Sequence, residues 1–297
     1  DKKYIEKCID DLYIPPAYDN VKINLKKTGK VRAIGYDDQN RPQYIYHKRF
    51  IKKQKIKKFN HMVQFGKDFS KINSKINEDL YSTKDSKEKQ VAIILRLIMD
   101  CHFRVGNERY SKKYKSYGTT TLENHHVKVK KGEVIIDFIG KKKVRNVCTV
   151  KNKKIIQTLK EKKKTLHKKD RLFTYRKGEE YFTIKSKDVN QYLKQFGKYS
   201  SKNFRTWGAN IELIKQLVQN TKNKTLSTKK EIQSTLKQAI CNVAEKLHNT
   251  EAVCKSNYLD PVLIESFTNT KDKFLKHFQY NSNDELYKKY VSFLEKN

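Results

Sequence analysis

Residues 88–106 read EKQVAIILRLIMDCHFRVG, a stretch that is apolar nearly all the way round a helical wheel. A helix of that kind has no face to offer water, so it is stable only at the centre of a larger helical assembly. The chain must therefore contain a domain large enough to surround it. Its 297 residues suffice for two domains, and 14 Phe, 18 Tyr and an apolar fraction of 36% can fill real cores.

The text on either side changes character near residue 52. Residues 1–52 hold Pro15, Pro16 and Pro42 together with VKINLKK, VRAIG and QYIYHKRF, whose period-two alternation predicts short antiparallel strands and a small β-rich N-terminal domain. Residues 53–297 read as a larger, mainly helical domain. KKQKIKKFNHMVQF is basic and helical, and in IQSTLKQAICNVAEKL the residues Ile232, Leu236, Ile240, Val243 and Leu247 share one face. Within that domain, residues 125–150 alternate at Val127 and Val129, then at Val134, Ile136 and Phe138, around a Lys-Gly turn. They predict a three-stranded antiparallel sheet with a second, basic turn at GKKK. The fold class expected is α+β. Beyond 155 the periodicity is helical, the lysine runs EKKKTLHKKD and TKNKTLSTKK read as solvated connections, and no repeat of 20 to 50 residues is visible.

Charge narrows the partner. Sixty-seven Lys and Arg against 32 Asp and Glu leave +35, a self-repulsion best screened by a polyphosphate, nucleic acid first. The bland alternative is a protein whose lysines merely coat exposed helices. Five cysteines (Cys8, Cys101, Cys148, Cys241, Cys254), odd in number and without C-x-x-C, predict a reducing compartment with neither disulfides nor a zinc site. With no run of about 18 apolar residues and no signal-peptide pattern, an intracellular, soluble protein without a membrane partner is expected. A start at Asp1 without methionine reads as a trimmed chain.

Neither G-x-x-x-x-G-K-[ST], nor G-x-G-x-x-G, nor a D-x-D pair occurs, so no ATP, cofactor or catalytic metal is expected. A nucleic-acid enzyme of this composition would have to stabilise phosphate charge with its own side chains. Arg104 in FRVGNERY follows the apolar helix directly and needs an anion there, although a structural salt bridge would serve. Arg205 in KNFRTWGAN adjoins the sole Trp and could simply cover an aromatic. Lys141 at the GKKK turn could be one more exposed lysine, and Tyr258 in LHNTEAVCKSNYLDP a half-buried capping residue. The order Arg, hairpin Lys, K-x-x-R, then Tyr near the C-terminus is more specific than any member of it.

That order and its wording resemble the small type IB DNA topoisomerases of poxviruses and bacteria over nearly the whole chain, with the Lys and Asn richness leaning towards a large DNA virus. YIPPAYDNVKI and DDQNRPQYIYHKRF are similar to the family's N-terminal module, which implies DNA contacts at Gln43, Tyr44 and Tyr46. FRVGNERY implies a catalytic Arg104, with Tyr110 of the same segment on DNA. FIGKKKV implies a catalytic Lys141, the lysine directly after the glycine, and KNFRTWGAN implies Arg205 supported by Lys202. LHNTEAVCKSNYLDP implies Tyr258 as nucleophile. Poxvirus members carry a histidine nine residues before the tyrosine, ahead of a threonine; here that place is Asn249, as in bacterial members, and His248 is out of register by one.

The resemblance implies a catalytic fold shared with tyrosine recombinases and a lysine-lined clamp on duplex DNA. It also implies strand cleavage through a 3′-phosphotyrosyl bond, swivelling and religation, without ATP or metal. The partner is double-stranded DNA with no small-molecule substrate, a monomer suffices, and the place is with DNA, in a virion, viral factory or nucleoid. Two rivals stand beside this reading. A tyrosine recombinase would use a similar residue set but typically has His-x-x-Arg where this chain has Lys202-x-x-Arg205. A non-catalytic DNA-packaging protein would satisfy the charge alone.

Overall fold

The computed structural model describes residues 6, 9, 12–26, 28–222 and 226–297. They group into two compact units, Asp1–His61 and Met62–Asn297. The division falls inside a helix, downstream of the change in composition near 52.

In the first unit, β1 (Asp19–Ile23), β2 (Val31–Tyr36) and β3 (Pro42–Tyr46) form an antiparallel sheet in that order. Ile34 faces Tyr44 and Gly35 faces Gln43. QYIYHKRF is strand only as far as Tyr46. Helix α1 (Lys48–Tyr81) starts two residues later because the His47 ring caps it, its Nδ1 accepting the Arg49 N–H at 3.0 Å.

In the second unit, α1 buries Met62, Phe65, Phe69, Ile72, Ile76 and Leu80, the three-and-four spacing of a single core-facing stripe. Trp207 rests on Gly66, where a Cβ would lie 2.7 Å from the indole ring. Phe65 meets Tyr199 and Phe204 edge-on, in an aromatic cluster that also takes in Phe69, Trp207 and Tyr290. Helix α2 (Lys87–Cys101), capped by Ser86, buries Val91 to Leu95, Leu97 and Ile98, as its all-round apolarity requires. It stops before the end of the apolar stretch. His102 turns left-handed (φ 53), and residues 103–106 leave the helix as a loop that leads to α3 (Glu108–Tyr114).

Strands β4 (Val127–Lys130), β5 (Glu133–Ile139) and β6 (Arg145–Thr149) make the expected three-stranded antiparallel sheet. Val127, Val134, Ile136 and Phe138 face inwards. Helix α4 (Lys153–Thr165) follows and absorbs the lysines of EKKKT, which are therefore helix rather than connection; Ile155 and Leu159 anchor it. A hairpin of β7 (Thr174–Lys177) and β8 (Glu180–Thr183), turning at Gly178 (φ 63), interrupts the helical text expected beyond 155. Seven helices complete the unit: α5 (Ser186–Leu193), α6 (Ser201–Thr221), α7 (Lys229–Lys246), α8 (Glu251–Asn257), α9 (Pro261–Asn269), α10 (Lys271–His277) and α11 (Asn283–Lys296). In TKNKTLSTKK, residues 223–225 lie outside the described residues, and Thr228 caps α7 so that Lys229 and Lys230 are helical.

The cysteine expectation is corrected. Cys101 and Cys148 are 47 residues apart in sequence yet form a disulfide, with Cα atoms 5.7 Å apart, because β6 returns beside the end of α2. Cys241 and Cys254 are free thiols, and Cys8 lies outside the described residues. Among the described residues no helix is long and apolar enough to cross a membrane.

Candidate active site

Five segments of the second unit converge on one open cleft of about 550 Å³. Arg104, Lys141, Arg205, Asn249 and Tyr258 line it, with Lys202 and His248 on its wall. Each is placed by a different local device.

Tyr258 is the C-cap of α8, its N–H donating to the Cys254 carbonyl at 2.9 Å, and it is 8% exposed. Just beyond it, Asp260 caps α9 and accepts the Val262 N–H at 2.9 Å, with Pro261 in the first helical position, where its missing N–H costs nothing. The tyrosine thus sits at a joint between two short helices. The joint is held from α6: the buried Asn210 amide donates to the Tyr258 carbonyl at 2.9 Å and accepts the Asp260 N–H at 2.7 Å.

Arg205 rises from the start of α6, 3% exposed, with its guanidinium carbon over the Tyr258 ring, 5.1 Å from the centroid. Its Nη2 donates to the Leu247 carbonyl at 3.1 Å, while Nε and Nη1 are buried without a partner. An arginine keeps its charge in nearly any environment, and a buried cation with unmet donors is costly to hold until an anion arrives.

The C-terminus of α7 explains the His–Asn register. His248 is left-handed (φ 52), its N–H donates to the Glu245 carbonyl, and the Asn249 N–H reaches back to the Ala244 carbonyl, both at 2.9 Å. This is a Schellman ending, with histidine in the position that glycine usually takes. Its geometry lays the His248 ring against Phe103, centroids 5.7 Å apart. Asn249 instead accepts Arg104 Nη2 on its Oδ1 at 2.5 Å and donates Nδ2 to the Leu247 carbonyl at 3.2 Å. The Leu247 carbonyl therefore receives both Arg205 and Asn249, and Asn249 receives Arg104. One continuous hydrogen-bonded path joins the two arginines.

Lys141 stands on the β5–β6 turn. The turn closes by Gly140 N–H to the Val144 carbonyl at 2.8 Å and runs through left-handed Lys142 and Lys143. Asn146, 2% exposed, donates to the same Val144 carbonyl, and a Cβ on Gly140 would strike its amide. The Lys141 side chain keeps contact with solvent, but partial burial, then repulsion from Arg104, Lys142 and Lys202, depresses its pKa below the usual ammonium value. For Tyr258, burial alone would raise the phenol. The positive charges of Arg205, Arg104 and Lys202 outweigh it and bring the group below its ordinary value.

The expected DNA contacts are dispersed. Lys202 is exposed on the cleft wall. Tyr110, 43% exposed on α3, packs against Tyr114 and does not line the cleft. In the first unit, Tyr44 and Tyr46 project from one face of β3 with stacked rings 6.1 Å apart, and Gln43 donates to Asp37 at 2.9 Å.

Three participants escaped the sequence reading: Asn210, Asn146 and the Leu247 carbonyl. Asn210 had a signal, a polar residue between Ala209 and Ile211 in a helix otherwise destined for the core. A backbone carbonyl has none.

A phenol drawn towards ionisation, two guanidiniums and an ammonium facing one space suit a tetrahedral oxyanion such as a phosphodiester. Comparison with known proteins gives the family. Residues 47–284 match the family model of the eukaryotic DNA topoisomerase I catalytic core. The DNA topoisomerase 1B of Acanthamoeba polyphaga mimivirus is 30% identical over 282 residues, 93% of this chain and 83% of that protein. The DNA topoisomerase I of monkeypox virus is 28% identical over 243 residues, 81% and 72%. DNA topoisomerase 1 alpha of Arabidopsis thaliana matches at 29% over 152 residues, half of this chain and 16% of that protein. A match across most of the chain settles the lineage: the chain belongs to the type IB DNA topoisomerase family.

Proposed function

We propose that Tyr258 is the nucleophile of this type IB topoisomerase and that the cleft holds the scissile phosphodiester. The observation that carries the assignment is Arg205, which has two unmet buried donors and whose guanidinium carbon lies over the Tyr258 ring. Tyr258, its phenolic proton given up to solvent, attacks phosphorus through Oη, the P–O5′ bond breaks, and the phosphate becomes a 3′-phosphotyrosyl ester. The departing 5′ oxygen takes a proton from Lys141, whose depressed pKa makes the ammonium a better acid. Arg104 and Arg205 hold the non-bridging oxygens as charge builds in the transition state. Asn249 orients Arg104 through Oδ1 and has a second amide hydrogen to offer the phosphate. Religation reverses the steps, so the energy of the broken linkage is conserved without ATP, and swivelling of the free strand between them relaxes supercoils.

Partner and place follow from charge. A formal +35 grips duplex backbone with little regard for sequence and loses its grip steeply with salt. Lys202 at the cleft, Tyr110 on α3, and Gln43, Tyr44 and Tyr46 on β3 are assigned to this contact. The mainly helical second unit takes the architecture shared with tyrosine recombinases, one copy of the chain suffices, and the protein works where DNA is.

The test is denaturant quenching with end-labelled duplex. The wild-type chain should leave a covalent adduct mapping to Tyr258, and Tyr258→Phe should leave none. Supercoiled plasmid should relax without ATP and in the presence of a metal chelator. An absolute need for either ATP or magnesium overturns the proposal.

A further inference from the structure

We propose that Thr119 and Thr120 are positioning residues for Arg104, fixing the peptide that follows its Cα and the next peptide along, and so the loop from which its side chain reaches into the cleft. The inference rests on the role given to Arg104 above and extends it to residues that do not line the cleft.

Arg104 occupies a loop. Helix α2 ends at Cys101, His102 is left-handed, and α3 starts only at Glu108, so no helix or strand ladder holds the backbone at 104. The hold comes instead from the segment at 118–121. The Arg104 carbonyl accepts the Thr119 N–H at 2.8 Å and the Thr119 hydroxyl at 3.1 Å. The Val105 carbonyl accepts the Thr120 N–H at 2.7 Å and the Thr120 hydroxyl at 2.8 Å. Two successive carbonyls thus each receive an amide and a hydroxyl from one threonine, filling both lone pairs. Rotation of either peptide would break two bonds together.

The clamp is itself built rigidly. Thr119, Thr120 and Thr121 are essentially buried. The Thr121 hydroxyl accepts the Gly118 N–H at 2.9 Å and donates to the Gly118 carbonyl at 3.0 Å, which fixes the turn. Gly118 lies so close to the arginine loop that a Cβ would stand 2.5 Å from the Gly106 backbone and 2.7 Å from the Arg104 carbonyl oxygen. Arg171 donates to the Thr121 carbonyl and pairs with Glu108 at 3.0 Å, tying the turn to α3.

Donors this numerous exceed what satisfaction of two carbonyls requires. With the hydroxyls gone, each carbonyl would still accept one backbone N–H, so no buried polar group is orphaned. What is lost is direction. An arginine has long, flexible reach, and its guanidinium must meet a phosphate oxygen in a fixed fork geometry. Asn249 holds the far end of that reach, and the threonines hold the near end.

The experiment uses the full chain carrying Thr119→Val, Thr120→Val, both together, or Thr119→Ser. Adduct formation is followed in single turnover, and duplex affinity is measured in a Tyr258→Phe background. Because misplacement of a catalytic group by about 1 Å costs on the order of 10²-fold in rate, the double valine variant should cleave slower by about that factor with unchanged affinity. Thr119→Ser, which keeps the hydroxyl, should stay within a few-fold of wild type. The decisive readout is coupling: in an Arg104→Ala background the same valines should cost almost nothing. An equal loss with and without Arg104 would mark the threonines as merely structural, and no loss at all would dismiss them. Should the double variant fail to fold, Thr120→Val alone is read in the same two backgrounds. Absence of an adduct from the wild-type chain would remove the catalytic reading itself, whereas an adduct in wild type with unchanged valine variants overturns only this inference.

Discussion

The guanidinium of Arg205 lies over the ring of Tyr258, its carbon 5.1 Å from the centroid, with two nitrogens that have no partner in the buried space around them. One side chain can therefore act on the nucleophile and on the phosphate together. Arg205→Ala should slow adduct formation by roughly 10²- to 10³-fold, the usual effect of losing one preorganised donor. Arg205→Lys should recover little, because an ammonium cannot reproduce the planar fork. Single-turnover cleavage of labelled duplex measures both, and a lysine variant of near wild-type rate would contradict the geometry.

The opposed demands on Tyr258 and Lys141 predict a bell-shaped rate profile. Tyr258 attacks as the phenolate, and its pKa lies below the ordinary value of 10.0, so the rate climbs with pH and levels off earlier than a free phenol would. Lys141 serves as the ammonium, and its pKa lies below 10.5, so the rate falls again as that proton is lost on the alkaline side. Lys141→Arg, which keeps its proton over the whole range, should be slower and lack the descending limb. A profile identical to wild type in that variant would remove Lys141 from the role of acid.

Residues 248 and 249 should part company on mutation. His248 is left-handed at φ 52, a conformation glycine adopts freely, so His248→Gly relieves the backbone while giving up the ring contact with Phe103. Cleavage should stay within a few-fold of wild type. Asn249→Ala severs the path from Arg104 to the Leu247 carbonyl and should cost on the order of 10²-fold. Rates for the two variants decide it, and a histidine variant slower than the asparagine one would reverse the assignment.

The Cys101–Cys148 bond predicts a redox-dependent melting temperature. By the chain-entropy rule, closing a loop of this span restricts the unfolded chain by about 4 kcal/mol. Reduction should lower the Tm, and Cys148→Ser should melt like the reduced protein whether or not reductant is present. Peptides bearing the two cysteines should be joined before reduction and separate after it. A Tm indifferent to reductant would refute the linkage.

Local pattern made much of this molecule readable. The alternation around residues 125–150 specifies the three strands, and the all-round apolarity of α2 specifies its burial. The β7–β8 hairpin went unseen because TYRKGEEYFT is short and carries charges on both strands, so period-two alternation never rises above its surroundings. The cysteine pair went unseen because its closeness is created by β6 returning beside α2, a relation that no local spacing encodes. Asn249 could be placed by counting from Tyr258, but the reason for its register, a left-handed helix ending at His248, is conformational. The structure brings Arg104, Lys141, Arg205, Asn249 and Tyr258 to one cleft, while the roles given to them rest on chemistry.

The Leu247 carbonyl carries an implication for how such a centre persists. The atom that joins Arg205 to Asn249 belongs to the main chain, and every amino acid supplies it. Position 247 can change, provided the helix still ends there and the core still fills, without any substitution at that position removing the acceptor. The junction is inherited as a shape rather than as a letter.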